Sequence, residues 1–75
     1  MPIPANIEMQ PVDSSSLNSI GYDPEEAVLY VRFLNGGEYS YAGVPDRIWQ
    51  GLKTAPSHGH YLATMVKGKY MYEKL

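Results

Sequence analysis

The chain has 75 residues, with six Lys and Arg against eight Asp and Glu and 44% hydrophobic residues. A domain this short buries only about 60% of the surface its unfolded chain exposes, so one domain of marginal stability is expected. The absence of cysteine excludes a disulfide scaffold and a thiolate metal site. A net charge of −2 does not by itself point to a polyanionic partner. No apolar run approaches the roughly 18 residues of a membrane span. The start, Met1-Pro2-Ile3-Pro4-Ala5, lacks the basic and apolar regions of a secretory signal. A soluble, cytoplasmic chain with no membrane partner is expected, and seven tyrosines set it apart from disordered sequences.

Residues 1–13 are expected as an extended N-terminal segment. Pro2 and Pro4 favour an extended backbone, and Ile7 and Met9 alternate with Glu8 and Gln10, which suits a short edge strand near Ile7–Val12. A strand is expected over Ser16–Tyr22, with Ser15 to Ser19 poorly patterned. Asp23-Pro24 then opens a turn, because Pro fixes φ and Asp bonds back to the backbone.

Ala27 to Phe33 is dense in β-branched and aromatic residues and alternates with period two. Leu29, Val31 and Phe33 share one face; Val28, Tyr30 and Arg32 share the other. Asn35-Gly36-Gly37 tolerates positive φ and signals a hairpin turn. Glu38 to Ala42 alternates again, with Tyr39 and Tyr41 on one side. A hairpin over about 27–42 follows.

Val44-Pro45-Asp46 changes the local chemistry. Pro45 suits a first helical position and Asp46 suits the positive end of the helix dipole. Ile48, Trp49 and Leu52 give this helix, about 45–54, an apolar side. Gly51 weakens it and Pro56 ends it. Ser57 can cap a second helix, about 57–66, whose stripe is Tyr61, Leu62, Met65 and Val66, with Gly68 as its stop. Lys69 to Lys74 alternates and reads as a short C-terminal strand. The whole is an α+β fold: a small antiparallel sheet packed on one side by two short helices, with residues 14–75 as a single domain.

Several of these pieces, in this order, resemble the KTSC domain. That domain occurs at the C-terminus of some lysyl-tRNA synthetases and as a free-standing small protein in bacteria and phages. The resemblance rests on Ser15–Leu17, Ile20-Gly21-Tyr22-Asp23, Leu29-Tyr30-Val31-Arg32-Phe33, Gly37-Glu38-Tyr39-Ser40-Tyr41 and Val44-Pro45. It continues through Ser57-His58-Gly59-His60-Tyr61 and Lys67-Gly68-Lys69-Tyr70-Met71-Tyr72. It covers about Ser14 to Leu75. The family often has Phe-Asn where this chain has Tyr61-Leu62, and often Arg where it has Lys67, Lys69 and Lys74. Lysine is a point charge without the bidentate fork of arginine. Through the synthetase association, the resemblance implies contact with RNA.

Two binding readings stay open. For RNA or another nucleic acid, the candidate residues are Tyr39, Tyr41, Arg47, Lys67, Lys69, Tyr70, Tyr72 and Lys74. Exposed rings on a sheet stack bases, and five of the six basic residues lie from Arg47 onward. Tyr30 joins Tyr39 and Tyr41 if the strand register agrees. The same alternation equally suits rings packed beneath a helix, with lysines in a solvated turn. For a protein partner, or a second copy of the chain, the candidates are an open strand edge and an apolar patch around Val28, Tyr30 and Leu34. Neither a metal site nor a cofactor is expected: His58 and His60 face apart on a helix and lack a third ligand. No nucleophile elbow, phosphate-cradling loop or paired carboxylates point to an enzyme.

Overall fold

The computed structural model describes residues 3–75. Its elements run β1 (Gln10–Pro11), β2 (Leu17–Asp23), β3 (Val28–Phe33), β4 (Glu38–Tyr41), α1 (Asp46–Thr54), α2 (His58–Met65) and β5 (Tyr72–Lys74). The five strands form one antiparallel sheet in the order β1-β2-β3-β4-β5. This is the α+β architecture expected from the sequence, with both helices and the terminal strand in place. The expected N-terminal edge strand is confined to Gln10 and Pro11, which pair with Ile20 and Ser19.

The central hairpin forms because its turn and its alternation agree. Gly36 adopts φ +92°, a conformation that costs a residue with a Cβ and costs glycine nothing. The Gly37 N–H donates to Asn35 Oδ1 at 2.9 Å, and the Phe33 N–H donates to the Gly37 carbonyl at 2.8 Å. The resulting register sets Leu29 opposite Tyr41 and Val31 opposite Tyr39. Opposed residues point to one face of a sheet, so these four look toward the helices. Leu29 and Val31 are completely buried there.

That register decides the condition left open for Tyr30. It pairs with Ser40, so its ring lies on the opposite face from Tyr39 and Tyr41. A second departure explains the weak pattern of Ser15 to Ser19. Leu17 pairs with Phe33, but Ser19 pairs with Arg32, so Asn18 is an extra residue in a β-bulge. The bulge turns both Leu17 and Ile20 inward although they are an odd number of residues apart, and each is 1% exposed.

Helix α1 places Ile48, Trp49 and Leu52 in the core. Pro45 is its N-cap, extended at φ −72° and ψ 156°, rather than its first helical residue. The Pro45 carbonyl accepts from the Ile48 N–H at 3.0 Å. Tyr22 stacks on Trp49 with centroids 5.6 Å apart, and its hydroxyl donates to the Val44 carbonyl at 2.6 Å. Helix α2 begins at Ser57, whose hydroxyl accepts from the His60 N–H at 3.2 Å, and buries Leu62. His58 Nδ1 lies 2.8 Å from the Leu52 carbonyl. A carbonyl only accepts, so that nitrogen carries the proton and ties the end of α1 to the start of α2. Gly51 lets Tyr61 lie directly against α1: a Cβ there would come within 2.6 Å of Tyr61 Cζ. Among the described residues, no helix is long and apolar enough to cross a membrane.

Candidate functional site: an aromatic groove at the end of the sheet

The two helices are too short to cover the whole inner face. Beyond them the sheet continues through β4 to β5, which returns after α2 to pair with β4. Its register sets Tyr72 opposite Tyr41 and Lys74 opposite Tyr39. Pleating therefore puts Tyr39, Tyr41, Tyr72 and Lys74 on the inner face of the sheet, at the edge of the part that the helices cover.

A groove of about 460 Å³ lies there, lined by Phe33, Asn35, Tyr39, Tyr41, Lys67 and Tyr72. Four of these six residues are aromatic, one is a cation and none is a carboxylate. The rings form a chain of contacts. Phe33 and Tyr39 meet edge to face at 5.5 Å. Tyr72 tilts across both neighbours, 6.0 Å from Tyr39 and 6.2 Å from Tyr41. Tyr41 is the floor, 4% exposed, and Tyr72 is the open wall, 64% exposed. Burial first, then the neighbouring Tyr39 and Tyr72 hydroxyls, raises the Tyr41 phenol above its ordinary value. It is therefore a neutral hydrogen-bonding group at physiological pH.

Lys67 sits just past α2 and places its ammonium 5.2 Å from the centre of the Phe33 ring. This cation–π contact holds a positive charge at one end of the groove. Asn35 reaches the same space from the hairpin turn. A concave aromatic surface with a cation at one end has the chemistry to stack a flat ring and neutralise an attached anion.

The structure divides the eight candidate residues. Tyr39, Tyr41, Lys67 and Tyr72 line the groove, and Lys74 shares their face through its pairing with Tyr39. Tyr70 is half-buried against the core. Lys69 is exposed, its N–H held by the Val66 carbonyl at 3.1 Å in the turn after α2. Arg47 is exposed on α1. These last three are not among the lining residues. Sequence reasoning missed Phe33 and Asn35. Phe33 alternates with Leu29 and Val31 and reads as core, and Asn35 reads as a turn residue. Both do those jobs and also face the groove.

The opposite face of the sheet carries a smaller hollow of about 260 Å³, lined by Val28, Tyr30, Ser40, Ala42, Met71, Tyr72 and Glu73. Met71 there is 81% exposed. Residues Ile7 to Met9 cross this face over Gly21, where a Cβ would come within 2.6 Å of Met9 Sδ and 2.8 Å of Ile7 Cγ2.

Comparison with known proteins returns a consistent set. The family model described as KTSC domain matches residues 13–70. A protein of Tsukamurella paurometabola is 40% identical over 62 residues, spanning 83% of this chain and 92% of its own. The crystal structure of a KTSC domain protein from Yersinia pestis superposes with a TM-score of 0.89 at 40% identity, covering 92% of this chain and 97% of that one. A lysine–tRNA ligase of Nostoc sp. is 33% identical over 63 residues, which are 84% of this chain and 11% of the ligase.

Proposed function

Because the chain belongs to the KTSC domain family and resembles a 63-residue stretch of a lysine–tRNA ligase, we propose that it is a non-enzymatic module that binds single-stranded RNA in its aromatic groove. The observation that carries this reading is the half-open ring set of Tyr39, Tyr41 and Tyr72 closed at one end by Lys67, with no carboxylate in the lining. Tyr72 is the platform on which a base stacks, a contact worth about 1–3 kcal/mol. Lys67 takes a phosphate oxygen, and Lys74 continues the positive charge along the same face. A duplex hides its base faces in its own stack, so the groove favours unpaired nucleotides.

Fluorescence anisotropy with labelled ten-nucleotide RNAs at about 50 mM salt tests this. We expect measurable binding that Tyr72→Ala weakens by about tenfold, in keeping with the loss of one stacked base. Absence of binding to every oligonucleotide at that salt rejects the reading.

A second reading has its own support. β5 is an outer strand with all three residues exposed, and Met71 lies bare beside it. An edge of this kind accepts an extended segment of a protein partner or of a second copy. Sedimentation over a range of concentrations separates the two: a dimer that Met71→Glu returns to monomer supports the second.

A further inference from the structure

We infer that the groove holds one nucleotide at a time, a single base with its phosphate, and not a run of stacked bases. This rests on the groove reading above and names the unit that the site takes.

Four rings line the groove, but three of them are already engaged. Tyr41 is 4% exposed and has no face to offer. Phe33 is half-buried, meets Tyr39 edge to face at 5.5 Å and carries the Lys67 ammonium 5.2 Å from its centre. Tyr39 is half-buried, with Phe33 and Tyr72 both against it. That leaves Tyr72, 64% exposed, as the platform.

Nor does a base fit between the rings. Stacked carbon atoms approach to about 3.5–4.0 Å, so a base held between two rings needs parallel planes about 7–8 Å apart. Tyr72 lies 6.0 Å from Tyr39 at 45° and 6.2 Å from Tyr41 at 41°. Both pairs are too close and too tilted. The charge is equally spare: among the described residues Lys67 is the one cation in the lining. One platform and one cation answer one ring and one phosphate. The size agrees, because about 460 Å³ falls in the lower half of the roughly 300–1,000 Å³ found for pockets that hold drug-sized molecules. A single nucleotide is of that size. Such a unit comes from two sources, a free nucleoside monophosphate or a nucleotide splayed out of an RNA chain.

The test titrates the isotope-labelled protein at low salt and follows the amide resonances of Phe33, Tyr39, Lys67 and Tyr72. The probes are adenosine, adenosine monophosphate (AMP), its methyl ester, and the dinucleotide pApA. We expect AMP to shift these resonances, and pApA to bind within about twofold of it, the gain from two equivalent positions. Adenosine should bind about threefold more weakly than AMP, and Lys67→Ala should remove that difference. Equal binding of AMP and its methyl ester extends the site to nucleotides inside a chain, whereas a weaker ester confines it to free or terminal ones. If pApA binds about fivefold or more above AMP, the least that a second stacked base adds, the inference is overturned and the groove reading stands. Binding of ten-nucleotide RNA with no response to AMP overturns it too. If neither AMP nor the ten-nucleotide RNA binds, the groove reading itself falls.

Discussion

At Gly51 two effects of one methyl group oppose each other. An alanine there would gain about 1 kcal/mol of helix propensity. Its Cβ would also lie 2.6 Å from Tyr61 Cζ and 3.0 Å from Cε2, so the half-buried Tyr61 ring would have to move out of its packing against α1. Overpacking of this kind costs about 1–3 kcal/mol, so Gly51→Ala should destabilise the protein in urea denaturation. In a Tyr61→Ala background the same change should stabilise, and a double-mutant cycle reads the reversal directly. Tyr22 offers a test in pH. Burial first, then Asp46 and Asp23, raises its phenol above the usual 10.0. Stability from such a group is complete below the unfolded value and is lost as pH climbs through the higher folded one. The melting temperature should therefore fall above about pH 10. Tyr22→Phe should flatten part of that fall while costing about 1–2 kcal/mol at neutral pH, since the Val44 carbonyl then lacks its partner.

Elements differ in how openly the sequence announces them. β3, β4 and their turn are local: alternation, Asn-Gly-Gly and short range all agree, and the register follows once the turn is known. The helices are equally plain, because Ile48, Trp49 and Leu52 share a side and Ser57 is a ready cap. The cap is testable on its own. Ser57→Ala removes the acceptor for the His60 N–H and should cost about 1 kcal/mol, or about 4–8 °C in melting temperature for a domain of this size. β2 was placed by the sequence to within a residue at each end, but which of its side chains face inward was not legible. Its bulge at Asn18 breaks period two, and no residue type marks a bulge unless glycine occupies it. Tyr30 was ambiguous for the opposite reason. Its strand was clear, but the face it shares depends on a pairing that only the closed turn defines.

The groove belongs to the whole molecule, and that is why it was only half visible. Its tyrosines come from β4 and β5, which are separated in sequence by both helices, and Lys67 comes from the turn after α2. Spacing along the chain can nominate tyrosines and lysines, but it cannot tell which lysine the fold brings to them. The structure selects Lys67 over Lys69, although the two are neighbours in sequence. Lys67→Glu should therefore weaken RNA binding strongly, while Lys69→Glu should change it little. With Lys67 and Lys74 as the two phosphate contacts, the logarithm of affinity should fall with the logarithm of salt at a slope of about −1.4, two contacts at about 0.7 each. A slope near zero, measured by anisotropy between 50 and 200 mM salt, would argue against ionic contacts at this face.

The return of β5 after both helices has a dynamic consequence. Every other pairing in the sheet joins strands adjacent in the chain, whereas β5 is three residues long and held on one side only. It carries the exposed wall of the groove on hydrogen bonds with no further strand to shield them. In native-state deuterium exchange the amides of Glu73 and Leu75 should open well below the global unfolding free energy and close when the groove fills, so that occupancy is written as slowed labelling of the last strand.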